Sequence, residues 1–261
     1  MNIIDLFNFE FKKNIKHYIY IVTIPCMIFI INMIINLNNY NKGISKWNKI
    51  DILVKTIGQT SFENLISINH KSIFILGIIL CLIYSIYIWH KDFSGKSKTI
   101  YTLMTLPQSR MNVYISKFLN IICLVYIYVM AFTLTIFISY YMFTPLMKGE
   151  VYNRGFIKET MYIFSEIIPY SLKNFTVVYV FGISTAISVI FTLYLLSRKF
   201  KNILNTLLLF PIIWIIYMKI ELKVSDIGVS IGIDKYLIIA SILIIIFCYL
   251  FSKKILKRLD F

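Results

Sequence analysis

The chain has 261 residues, of which 59% are hydrophobic and only 15% charged, where an ordinary soluble domain carries about 25% charge. Its formal net charge of +15 would normally raise the question of nucleic acid. The basic residues flank long apolar runs instead of lying in a stripe with interleaved aromatics, so membrane flanks are the better reading and no nucleic-acid partner is expected. The length suits one all-α membrane domain spanning residues 1–261, with about six transmembrane helices and no sizeable soluble domain.

Residues 3–16 read as an amphipathic helix lying in the headgroup plane. Ile4, Phe7, Phe11 and Ile15 recur at helical spacing, with Asp5, Asn8, Lys12 and Lys16 mostly on the other side. The first span follows at about 18–35, free of charge from Tyr18 to Ile35. It is too long for the apolar core of a signal peptide and no small-x-small cleavage site follows, so it is expected to be retained. Further spans are expected at about 72–89, 118–143, 175–196, 203–218 and 236–251. A crossing helix needs about 20 residues, so the last two need their flanks. Pro25 and Pro211 lie within spans, where neighbouring helices can absorb a kink.

Six spans place both termini on one side, together with 15 of the 27 basic residues. These crowd close to helix ends, while eight of the twelve acids fall on the opposite side. The positive-inside rule then puts both termini in the cytoplasm. The outer segments are 36–71, mixed and mostly polar, 144–170, rich in aromatics suited to outer headgroups, and 219–235, which is short.

The four cysteines (Cys26, Cys81, Cys123, Cys248) each sit in an apolar run with no ligand spacing, and read as small buried hydrophobes. No metal site is expected. His17, His70 and His90 fall at or near span ends, and no HExxH or other catalytic pairing occurs. The one Gly-Lys pair, Gly95-Lys96, lacks the earlier glycine of a phosphate-binding loop, so the chain is not expected to be an ATPase or to bind a cofactor. No Asp, Glu, Lys or Arg falls in the central part of an expected span, which argues against proton- or ion-coupled transport. Asn32, Asn120, Thr133, Thr135, Ser184, Thr185 and Ser188 could line a path or bond between helices. Gly182 and Ala186 form a small-xxx-small step that permits close helix approach.

The most informative segment is 91–117, between the second and third spans. A polar turn containing Gly95 leads into a short helix from about Ser97 to Leu106, with Ile100, Leu103 and Met104 on one face. Pro107 ends that helix by disfavouring helical geometry before it, and Ser109 can cap the next. An amphipathic helix in such a loop needs a partner, either the headgroup surface or the groove of another protein.

Gly95, the run Tyr101-Thr-Leu-Met-Thr-Leu-Pro107, and then Ser109-Arg110, Tyr114 and Lys117 resemble the first cytoplasmic loop of ABC-2 type permeases. These are the membrane-spanning subunits of bacterial ABC transporters. The likeness extends to the N-terminal interfacial helix, six spans and cytoplasmic C-terminus. It implies a coupling helix docked in a groove of a separate ATPase, with Ile100, Tyr101, Leu103, Met104 and Leu106 facing the partner. Pro107 would set the corner, and Arg110 would contact the ATPase or a lipid phosphate. It also implies a bacterial cytoplasmic membrane, membrane lipid as surroundings, a second permease chain (identical or paralogous), and ATP used by the partner. Export of an amphipathic peptide, antibiotic or lipid-like molecule fits the apolar spans. Some family members carry re-entrant helices in the last outer loop, which is short here. Other readings of the same features are a coupling subunit of an importer and a non-transporting membrane sensor or assembly factor.

Overall fold

A computed structural model of the chain describes residues 2–47, 62, 69–94, 109–146, 175–199 and 230–258. Among the described residues there is no strand. The helices are α1 (Ile3–Trp47), α2 (Asn69–Ser94), α3 (Arg110–Phe143), α4 (Ile183–Lys199) and α5 (Ser230–Arg258). A 3-10 turn, Thr144–Leu146, extends α3, and a π-helical turn, Thr176–Gly182, leads into α4.

Among the described residues, five segments are long and apolar enough to cross a membrane: Ile3–Lys42, Ser72–Phe93, Arg110–Leu146, Thr176–Ser197 and Ile238–Lys257. This is the pattern of a multi-pass membrane protein. The segment 203–218, expected as another span, lies outside the described residues.

Element lengths differ from the expectation in an instructive way. Residues 3–16 and the first span form one unbroken helix that passes through Pro25 and ends at Trp47. The expected outer segment 36–71 is therefore helical as far as Trp47. A helix of 45 residues is about 68 Å long, more than twice the roughly 30 Å of hydrocarbon. A large part of α1 must lie beyond the hydrocarbon or take it up by tilt. Likewise α3 begins at Arg110, eight residues before the apolar run that marked the third span.

The helices divide between two compact units. The first comprises 1–16, 79–125 and 171–261, and the second 17–78 and 126–170. In the second, Phe29, Phe74, Tyr128 and Phe132 form an aromatic cluster. Phe29 and Phe132 are centred 5.3 Å apart edge-to-face, and Phe74 and Phe132 5.2 Å apart. The Tyr128 hydroxyl donates to the Phe74 carbonyl at 3.0 Å. That places the ring over Gly77, where an added Cβ would collide with Cζ and the hydroxyl of Tyr128. Only glycine at 77 leaves room for this ring. Further along, Asn41 Nδ2 donates to the Leu146 carbonyl at 3.2 Å, tying α1 to the end of the α3 extension.

In the first unit α4 and α5 pack on each other, and α5 also meets the π turn. The Thr192 and Ser252 hydroxyls bond across this interface at 3.2 Å. Thr185, Ser188 and Thr192 return their hydroxyls to their own helix, at Gly182, Ser184 and Ser188 carbonyls. Such back-bonding satisfies a hydroxyl within its own helix when no water is present.

Candidate functional site: a buried charge cluster at the roots of segment 95–108

Three helices bring four charged side chains together in the first unit. Lys117 of α3, entirely buried, donates to Glu10 Oε1 of α1 at 3.0 Å and to Asp92 Oδ2 of α2. Asp92 in turn accepts from Lys13 Nζ of α1 at 2.7 Å through its other oxygen. The result is an alternating row, Glu10–Lys117–Asp92–Lys13, with no net charge.

The local sequence explains the convergence. Glu10 and Lys13 are three apart on α1 and so share a face. Asp92 lies two residues before the end of α2, and Lys117 two turns into α3. Asp92 therefore lies beside one end of segment 95–108 and Lys117 two turns beyond the other, and α1 supplies the opposite charges to both.

Burial makes this cluster consequential. Glu10, Asp92 and Lys117 are each no more than 1% exposed. A buried charge must be paired and hydrogen-bonded to be tolerated, and removing one partner typically costs about 3–5 kcal/mol. Neighbouring groups complete the pairing. Asn14 donates to Glu10 Oε2 at 3.3 Å and to the Glu10 carbonyl at 2.9 Å. Asn120, one turn after Lys117, donates to the Phe7 carbonyl of α1 at 3.3 Å and to the Ser116 carbonyl at 3.0 Å. The Lys117 ammonium also stands 5.4 Å from the centre of the Trp89 ring, within cation–π range.

Trp89 is the hub of an aromatic box beside the charges. It is fully buried and packs edge-to-face on Phe191 at 5.4 Å, with Phe93, Tyr114 and Tyr194 around it. The box joins α2, α3 and α4 and shields the ion pairs from water, which strengthens them.

Ser109 and Arg110 set the start of α3. The Ser109 hydroxyl accepts from the Met111 N–H at 3.3 Å, and its carbonyl accepts from the Asn112 N–H at 2.8 Å. Ser109 thus caps the helix, as its sequence position led us to expect. Arg110 extends to α5 and donates Nη1 to the Leu256 carbonyl at 2.8 Å, satisfying an end-of-helix acceptor. No known protein family, curated protein or solved structure matches the chain.

Of the residues singled out from sequence, Gly95, Ile100, Tyr101, Leu103, Met104, Leu106 and Pro107 lie outside the described residues. Arg110 is described and holds Leu256 of its own chain. Among the polar span residues, Asn120 joins α1 to α3, while Thr133 and Thr135 bond back to Met130 and Ala131 of their own helix. Asn32 is half-buried. Gly182 ends the π turn and Ala186 is buried one turn later, while the Ser184 carbonyl accepts from Ser188. Sequence reasoning missed the charge cluster, having counted Lys13 and Lys117 only as flanking positives. A signal was there: only four of the twelve acids fall on the lysine-rich side, and two of these, Glu10 and Asp92, are in the cluster.

The arrangement has the chemistry of a fastening. It contains no nucleophile with an adjacent base. Among the described residues no group of three His, Cys, Asp or Glu side chains could hold a metal.

Proposed function

We propose that the protein is the membrane-spanning permease subunit of an ABC-2 type transporter, crossing the bacterial cytoplasmic membrane six times with both termini inside. It exports an amphipathic peptide, antibiotic or lipid-like substrate. Energy comes from a separate ATPase that uses ATP, and a second permease chain completes the unit.

The observation that supports this reading most is the buried charge row at the roots of segment 95–108. A loop that transmits force from a soluble motor to membrane helices needs rigid attachment at both ends. Asp92 and Lys117 are bonded to each other and to the long N-terminal helix, so a displacement of the loop pulls on α1, α2 and α3 together. Ser109 and Arg110 belong to the sequence pattern that resembles the family's loop, and here they cap α3 and latch α5.

The test is affinity purification of the chain from its native membranes. A protein with a complete phosphate-binding loop should co-purify, and the double replacement Leu103→Ala/Met104→Ala should lower its recovery about tenfold or more at matched membrane expression. Lys96→Gln/Lys98→Gln should have a smaller effect, seen mainly at low salt. The isolated chain should not hydrolyse ATP. Unchanged recovery with the alanine pair, or an ATPase never recovered, would contradict the reading. Topology is open to single-cysteine labelling: Ser94 and Lys254 should react only once the inner side is exposed, and Asn153 from outside. Labelling of Ser94 in intact cells would sink the orientation.

A further inference from the structure

The charge row divides into two neutral halves. Glu10 and Lys13 both belong to α1, while Lys117 and Asp92 bond directly between α3 and α2. Breaking a buried ion pair is costly because it usually strands a charge. Parting this row between α1 and the other two helices strands none. The bonds Glu10–Lys117 and Lys13–Asp92 are lost, the bond Lys117–Asp92 stays, and the net charge left between α2 and α3 is unchanged. Glu10 and Lys13, three residues apart on one helix, can then pair with each other on its surface.

Two further features of the contact favour its opening. The first is that apolar burial contributes little to it. α1 enters the first unit only through residues 1–16. Of residues 3–16, only Leu6, Glu10 and Asn14 are buried, and two of these three are polar. The second is that docking leaves polar atoms unmet. Asn14 directs its amide nitrogen to the carboxylate and carbonyl of Glu10, and Asn120 directs its own to the Phe7 and Ser116 carbonyls. The amide oxygens of both residues are buried and have no hydrogen-bond partner. Each such acceptor favours a state in which water reaches it.

We propose that the first turns of α1 are a releasable latch on α2 and α3. Docked, they complete the charge row and move with the ends of both helices. Released, they swing away as an intact helix carrying no net charge from the row, and the Asp92–Lys117 pair stays closed behind them. The latch rests on the charge row and is independent of what the protein transports.

The test is double electron–electron resonance on the full chain in uncharged detergent micelles, with the four native cysteines replaced by alanine. One spin-label pair, Asn8→Cys with His90→Cys, joins exposed positions of α1 and α2, and a second, His90→Cys with Lys253→Cys, joins α2 to α5. E10Q/K13Q removes the α1 half of the row. It should raise the ratio of a longer distance to the docked one in the first pair about tenfold or more. The distance in the second pair should not change. K12Q/K16Q, which removes two charges of α1 outside the row, should leave both pairs unchanged. In E10Q/K13Q the amides of residues 10–14 should still exchange slowly with deuterium, because the segment leaves as a helix. Four results would overturn the proposal: no change in the first pair with E10Q/K13Q, a change in the second pair alongside it, an equal change with K12Q/K16Q, or fast exchange at residues 10–14. The second of these would mean that the row holds the whole unit, and the last that the segment unwinds.

Discussion

The two compact units hold parts of the same three helices, α1, α2 and α3, by different physics. In one, Glu10, Asp92 and Lys117 meet in a dry, directional row of ion pairs backed by Trp89. In the other, Phe29, Phe74, Tyr128 and Phe132 pack by shape, and the tightest constraint is the space that Gly77 leaves for a ring. Packing tolerates graded change, because a slightly worse fit loses a little dispersion energy. Buried ion pairs are closer to all-or-none, because a lost partner strands a charge in a low-dielectric interior.

Mutations should separate the two mechanisms by size. The largest effect is expected for Lys117→Met, which strands the buried Glu10 carboxylate, leaves Asp92 with Lys13 alone and should cost about 3–5 kcal/mol. Lys13→Met should cost less, because Lys13 is partly exposed and Asp92 keeps Lys117 as its buried partner. Unfolding in matched micelles measures both, and equal losses would show that burial is not what sets the scale. Next comes Gly77→Ala, where the added methyl group meets the Tyr128 ring. Overpacking of this kind costs about 1–3 kcal/mol. A neutral outcome would mean the ring moves aside and the packing unit is softer than its contacts imply. Smallest is Thr192→Val, which keeps the side-chain shape and removes the hydroxyl bonded to Ser252. Hydrogen bonds between membrane helices average about 0.6 kcal/mol, and a loss well above 2 kcal/mol would give the α4–α5 interface a larger polar role.

Membrane character was legible in the sequence because a charge-free run as long as Tyr18–Ile35 suits hydrocarbon far better than water. Ser109 was legible as a cap, since a hydroxyl just after a proline and before an apolar run has a local meaning. The extent of α1 was not. Asn36–Trp47 is polar enough to read as a loop, yet it holds no proline, and Asn41 finds its partner in Leu146, 105 residues away. Hydropathy registers the polarity of such a stretch and cannot register that bond. The charge cluster was hidden for the same reason. Glu10, Asp92 and Lys117 are separated by 82 and 25 residues, and each alone resembles an ordinary charge flanking a span. Gly77 likewise sits in a plain apolar run, and only the ring of Tyr128 gives it meaning.

The most direct test is whether the buried charges act as one unit, which separate, additive contributions would not. Lys117→Met alone leaves Glu10 and Asp92 buried without their shared cation. The triple variant Glu10→Gln/Asp92→Asn/Lys117→Met removes the stranded charges along with it. Unfolding of both variants in the same micelles should find the triple more stable than the single by about 2 kcal/mol or more, because neutralising a broken buried pair relieves its desolvation cost. A triple variant less stable than Lys117→Met, with the three losses simply adding, would mean that these groups do not form the fastening described here.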